Sequence, residues 1–171
     1  MIRFVHPSDA QAVADIYNDY ILNTVITFEE QAITAQDMAL RFEEVSASAL
    51  PWYVAESDGR VLGYAYASKW KARGAYRFSV ETTVYLDASS KRKGIGSMLY
   101  TALLTQLRAQ KYHVAIGGIA LPNEASIQLH EKFGFEKVAH FKEVGFKFGR
   151  WVDVGYWHLE LPNKAIGDGV R

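Results

Sequence analysis

Hydrophobic positions change their period along the chain, and each change marks an element. Residues 2 to 4 alternate, and Pro7-Ser8-Asp9 offers a cap before a helical spacing in Ala12, Val13, Ile16, Tyr17 and Tyr20. This predicts a strand and then a helix. An apolar, aperiodic stretch through Val25, Ile26 and Phe28 leads to Thr34, which with Asp37 opens a second helix carrying Met38, Phe42 and Val45. Pro51 sets its outer limit. Trp52 to Glu56 and Val61 to Ser68 flank the polar turn Ser57-Asp58-Gly59-Arg60, the arrangement of an antiparallel hairpin. Val80 to Leu86 reads as a strand, and a basic loop then ends in Gly94-Ile95-Gly96. Ser97 to Gln110 holds Met98, Leu99, Ala102, Leu103 and Leu107 at helical spacing. His113 to Ala120 reads as a buried strand. Asn123 can cap a helix that ends at Phe133-Gly134-Phe135, where Gly134 suits a left-handed turn. Two aromatic-rich strands, about Lys137 to Val144 and Trp151 to Leu161, complete the order, and Pro162 to Arg171 reads as a tail. Helices alternating with a mixed sheet predict an α/β fold in one domain spanning residues 1–171.

Composition narrows the chemistry. With 171 residues, 49% of them hydrophobic, the chain can bury roughly 70% of its unfolded surface around one core. Lys and Arg number 19 against 19 Asp and Glu, so no long-range field favours nucleic acid or an anionic membrane, and any basic site must be local. Cys is absent, which excludes disulfides, a thiolate nucleophile, iron–sulfur clusters and cysteine zinc sites. A reducing cytoplasm is the expected compartment. No apolar run reaches the length of a signal peptide's central region or a membrane helix. His6, His113, His140 and His158 lack the spacing of a helical metal pair, so no metal is expected.

The sharpest local signal is Lys91-Arg92-Lys93-Gly94-Ile95-Gly96-Ser97 between a strand and a helix. Small residues there let backbone N–H groups turn toward an anion at the helix N-terminus, with a pyrophosphate as the natural guest. The loop lacks the Gly-Lys-Ser/Thr ending of a P-loop and the third Gly of the dinucleotide fingerprint, so Gly-x-Gly alone also fits an ordinary tight turn. Glu81 is an acid within a β-branched run, and partial desolvation there would raise its pKa toward that of a base acting on an ammonium. Alternation puts Glu81 and Thr83 on one face, Thr82 and Val84 on the other. Lys71 and Arg73, beside Trp70 and Tyr76, can converge on an anion or can form a solvated basic loop.

Lys91-x-x-Gly94-x-Gly96, preceded by Val84-Tyr85-Leu86 and followed by Asn123 and Phe133-Gly134-Phe135, resembles the acetyl-CoA core of the GNAT acyltransferases. Trp70 to Tyr76, Val80 to Tyr85 and Leu121 to Ser126 resemble the phosphinothricin N-acetyltransferases of that superfamily, where Lys91 is usually Gln or Arg. The resemblance runs from Ile2 to about Leu161. It implies a mixed, mostly antiparallel sheet with helices on both faces. It implies that Val84, Tyr85 and Leu86 pair with the pantetheine arm, that Arg92, Lys93, Gly94, Ile95, Gly96 and Ser97 hold the pyrophosphate, and that Asn123 lies near the thioester. Phe28, Lys71, Ala72, Arg73, Tyr76, Glu81, Thr82 and Thr83 become substrate contacts. Glu81 becomes the base, and His130 stands where many members carry a Tyr that protonates the departing thiolate. The aromatic residues Phe141, Phe146, Phe148, Trp151, Tyr156 and Trp157 read as core or interface, and with the resemblance imply a homodimer.

The implied activity is acetyl transfer from acetyl-CoA to the α-amine of a small acidic amino acid such as phosphinothricin or methionine sulfoximine. With no Cys for an acyl-enzyme, attack is direct within a ternary complex. Two alternatives stand beside it: a peptide or other amine as acceptor, and a noncatalytic acyl-CoA sensor.

Overall fold

The computed structural model describes residues 1–91 and 93–161. In order these form β1 (Ile2–Phe4), α1 (Ala10–Asn23), α2 (Ala35–Ala47), β2 (Trp52–Ser57), β3 (Arg60–Lys69) and β4 (Ser79–Leu86). Then come α3 (Ile95–Ala109), β5 (Val114–Ala120), α4 (Glu124–Lys132), β6 (Glu136–Lys147) and β7 (Arg150–Glu160). Arg92 and the tail Pro162 to Arg171 lie outside the described residues.

Local chemistry explains most boundaries. Thr34 and Asp37 form the expected reciprocal cap, with Asp37 N–H donating to Thr34 Oγ1 at 3.1 Å and Thr34 N–H to Asp37 Oδ2 at 2.8 Å. Entry to α1 differs from expectation: Pro7–Asp9 is a separate 3-10 turn capped by His6, and the helix proper starts at Ala10. α3 starts two residues early, at Ile95, because Gly94 takes φ +77° and becomes its N-cap. Gly134, at φ +87°, closes α4 as its position predicted.

The seven strands form one sheet in the order β1-β2-β3-β4-β5-β7-β6. Only β4 and β5 run parallel, and α3 is the crossover between them. α1 and α2 cover one face over Trp52, Val54 and Tyr64, while α3 packs the other over Ala65, Ala67, Val80 and Ala115. The side chains of β4 alternate between these layers. Val80 and Thr82 are buried toward α3, and Glu81, Thr83 and Tyr85 face the α1 side.

Candidate active site

β4 pairs with β3 from Lys69↔Val80 to Gly63↔Leu86, but with β5 only over Ser79, Val80 and Glu81. Past Glu81 the two parallel strands part, and among the described residues that edge of β4 has no strand partner. Tyr20 occupies its far end, donating its O–H to Leu86 O at 2.8 Å. Alternation turns the N–H and C=O of Val84 toward the same edge, where an extended, amide-bearing ligand can pair with them. At the mouth of the opening, α3 presents the N–H groups of Ile95, Gly96 and Ser97, which have no acceptor within the helix. Lys132 of α4 adds a cation there, donating to Ser97 Oγ at 3.0 Å. A Cβ on Gly96 would stand 3.3 Å from Leu129 Cδ2, so α4 leaves little room for a side chain at this turn.

Glu81 sits at the fork itself. Its carboxylate is half-buried and makes no hydrogen bond or ion pair among the described residues. Burial raises its pKa above the ordinary carboxylate value, partly offset by the positive charge of Lys71. The space it occupies exists because residue 118 is glycine: a Cβ there would lie 3.3 Å from Glu81 Oε1 and 3.1 Å from Tyr156 Cε1. Tyr156 in turn meets Trp70 edge-on, with centroids 5.5 Å apart, and Phe141 at 5.8 Å. An acid therefore lies beside Tyr156, which groups with Trp70 and Phe141, at a strand edge left free among the described residues.

The sequence matches the acetyltransferase (GNAT) domain family over residues 2–155. The chain belongs to the GNAT acetyltransferases. It is 41% identical over 163 residues to a phosphinothricin N-acetyltransferase of Streptomyces viridochromogenes, covering 94% of this chain and 88% of that one. It is 34% identical to an L-methionine sulfoximine/L-methionine sulfone acetyltransferase of Salmonella typhimurium, with 98% of each covered. Among solved structures, a phosphinothricin acetyltransferase from Sinorhizobium meliloti in complex with AcCoA superposes with a TM-score of 0.93 at 35% identity, covering 100% of this chain and 93% of that one.

Most of the expected cofactor residues fall on two neighbouring elements, the free edge of β4 and the first turn of α3. Val84 to Leu86 form the open edge, and Lys93, Gly94, Ile95, Gly96 and Ser97 form the mouth. Asn123 caps α4, with its Oδ1 accepting from Ser126 N–H at 3.2 Å. The expected substrate residues fall in two different settings. Thr82 is buried, its hydroxyl 3.4 Å from Ile116 O and 3.3 Å from Tyr100 Oη, so its side chain is turned away from the face that carries Glu81 and Thr83. Lys71, Ala72, Arg73 and Tyr76 are all exposed on the loop between β3 and β4, with the Lys71 ammonium 4.9 Å from the Trp70 ring centroid.

His130 also differs from expectation. It is only 3% exposed, lying in the core against Gly117, where any Cβ would collide with the imidazole. Its Nδ1–H donates to Ser126 O at 2.7 Å, which fixes the tautomer, and Nε2 accepts from Tyr100 O–H at 2.8 Å. Burial lowers its pKa, so the ring is held neutral. Both nitrogens are thus occupied, and the ring is linked to Thr82 of β4 through the Tyr100 hydroxyl. Sequence reasoning missed Tyr156, Gly117, Gly118 and Lys132. The glycine pair in a β-branched strand was the one available signal.

Among the described residues no three His, Asp or Glu side chains gather as metal ligands, and no helix is long and apolar enough to cross a membrane. A groove along α1 holds Arg3 and Asp9, paired at 2.8 Å, and Arg60 and Asp87, paired at 3.0 Å.

Proposed function

We propose that this chain transfers an acetyl group from acetyl-CoA to the α-amine of a small acidic amino acid of the phosphinothricin and methionine sulfoximine type. The observation that carries the reading is the unpaired, partly desolvated carboxylate of Glu81 at the point where β4 leaves β5. The residues present fit acetyl-CoA: the Val84 edge suits the amides of its arm, and the α3 N-terminus with Lys93 and Lys132 suits its phosphates. When bound, acetyl-CoA supplies a thioester carbonyl that is already activated. Glu81 takes the proton from the acceptor ammonium, directly or through one water, and its raised pKa brings it nearer the working range of a base. The Val84 N–H is oriented to stabilise negative charge on the carbonyl oxygen. Thr83, Tyr156 and Phe28 bound the acceptor, and Lys71 and Arg73 draw in its anionic head group. His130 is a positioning residue, holding the Tyr100 hydroxyl against Thr82 of β4. Asn123 approaches the cofactor from α4.

The same reading makes the protein a cytoplasmic homodimer that handles small molecules and not nucleic acid, supported by the balanced charge, the absence of Cys and the apolar β6–β7 surface. The exposure of Lys71, Arg73 and Tyr76 favours a second acceptor class, a peptide N-terminus lying across an open rim. Release of free CoA thiol with a panel of amino acids, peptides and polyamines tests the proposal. Turnover with phosphinothricin or methionine sulfoximine that falls about ten- to a hundredfold in Arg73→Ala, with acetyl-CoA binding intact, supports it. Preference for peptides with no response to Arg73→Ala overturns it, and binding of acetyl-CoA without turnover of any amine identifies a sensor.

A further inference from the structure

The segment between α1 and α2 crosses the Glu81 face of the sheet and ends its reach on β6, where two unusual residues receive it. Lys147 is buried to 1% exposure and donates from Nζ to Thr27 O at 2.8 Å, a contact across 120 positions of sequence. Two residues earlier on the same face, Gly145 receives the Phe28 ring, which occupies the space that any Cβ at this position would need. The register Gly145↔Val152 with Phe141↔Val154 puts this seat on the face that carries Tyr156, the ring beside Glu81. The other ties of the segment lead back to the helices. Tyr17 Oη lies 2.8 Å from Thr27 Oγ1, Asn18 exchanges two hydrogen bonds of 2.9 Å with Ile33, and Arg41 donates to Glu29 Oε1 at 2.6 Å. Val25 adds an apolar contact with Ala120 and Val152.

A buried ammonium is expensive unless it gains something specific. Here the groups facing it are the Thr27 carbonyl, the Phe148 ring at 5.0 Å, and the charges of Glu29 and Glu30, both carried by the same segment. A hydrocarbon side chain would fill the volume more cheaply, so the amino group is explained by the carbonyl that it holds. That carbonyl immediately precedes Phe28. The geometry points to Lys147 and Gly145 as positioning residues that seat Phe28 as a wall of the acceptor pocket, so that acceptor recognition depends on β6 as well as on the loop between β3 and β4. The placement of the pocket rests on the function proposed above; the latch itself does not.

Steady-state kinetics and hydrogen exchange on the full chain separate the two. In Lys147→Met, amides of residues 25–33 should exchange about tenfold faster or more, and KM for the acceptor should rise about tenfold while KM for acetyl-CoA stays within about twofold. Gly145→Ala, which keeps the lysine and displaces the ring, should raise acceptor KM in the same way and serves if Lys147→Met does not fold. In a Phe28→Ala background the effect of Lys147→Met on acceptor KM should vanish, because the residue it positions is gone. Unchanged exchange in Lys147→Met overturns the latch. An equal rise of both KM values, or the same effect with and without Phe28, reduces Lys147 to general stabilisation. If the wild type turns over no acidic amino acid, the acceptor assignment fails while the exchange result still decides the latch.

Discussion

At the scale of single residues, the account turns on how surroundings tune Glu81. Glu81→Gln keeps the shape but cannot accept a proton, so turnover near neutral pH should fall about 10²-fold or more while acetyl-CoA binding persists; isothermal titration beside initial rates checks both halves. Wild-type rates across the pH range would make Glu81 a structural residue. Because burial raises the Glu81 pKa and Lys71 lowers it, the acid limb of the rate profile should move to higher pH in Lys71→Met. A limb that stays in place would show that Lys71 is not coupled to the reacting carboxylate. His130 gives a prediction about stability. Its folded pKa lies below the ordinary value of 6.5, so the unfolded chain binds more protons and stability drops as pH falls from about 6.5 through the folded value. The melting temperature of His130→Gln should therefore depend less on pH between 7 and 5 than that of the wild type. Glu81 was readable from the sequence because a charge in a β-branched run stands out and alternation assigns its face. Tyr156 and Gly118 were not, since they meet Glu81 only through the registers of β4 with β5 and β5 with β7.

At the scale of elements, strand and helix order followed from period changes, and the caps at Thr34, Asn123 and Gly134 are local chemistry that a sequence carries openly. Parting of β4 from β5 is a different matter. Nothing local in Val80 to Leu86 announces that pairing stops at Glu81 or that Tyr20, on α1, takes the Leu86 end of the edge. The glycine loop lies between these cases. Gly94 is required by its positive φ, with open space where a Cβ would go, whereas Gly96 is required by contact with Leu129. Gly94→Ala should thus cost about 1–2 kcal/mol of stability from backbone strain alone. Gly96→Val should instead abolish the thermal shift that acetyl-CoA gives the native protein, which differential scanning fluorimetry reads directly. A folded Gly96→Val protein with an undiminished shift would move the cofactor away from the α3 N-terminus.

Over the whole molecule, the aromatic abundance near the C-terminus resolves into two populations. Trp157 is a core residue, only 2% exposed, while Phe141, Phe146 and Trp151 on β6 and β7 and Phe148 in the turn between them stand 52–62% exposed, with Val138 and Val144. The exposed pair Phe146 and Trp151, with centroids 4.8 Å apart on the face opposite Phe141, is the basis of the homodimer proposed above. Trp151→Glu should shift the protein to monomer in sedimentation velocity, and a wild type that is already monomeric at micromolar concentration would remove the dimer. Charge balance and composition set expectations for classes of partner but carry no information on the acceptor, which in the proposed function is decided by a few side chains around one carboxylate. The most direct test of the central claim is competition: equimolar phosphinothricin and a short peptide offered with limiting acetyl-CoA, and products counted by mass spectrometry. The account predicts acetyl-phosphinothricin as the main product and loss of that preference in Arg73→Ala. Acetyl-peptide as the main product would contradict it.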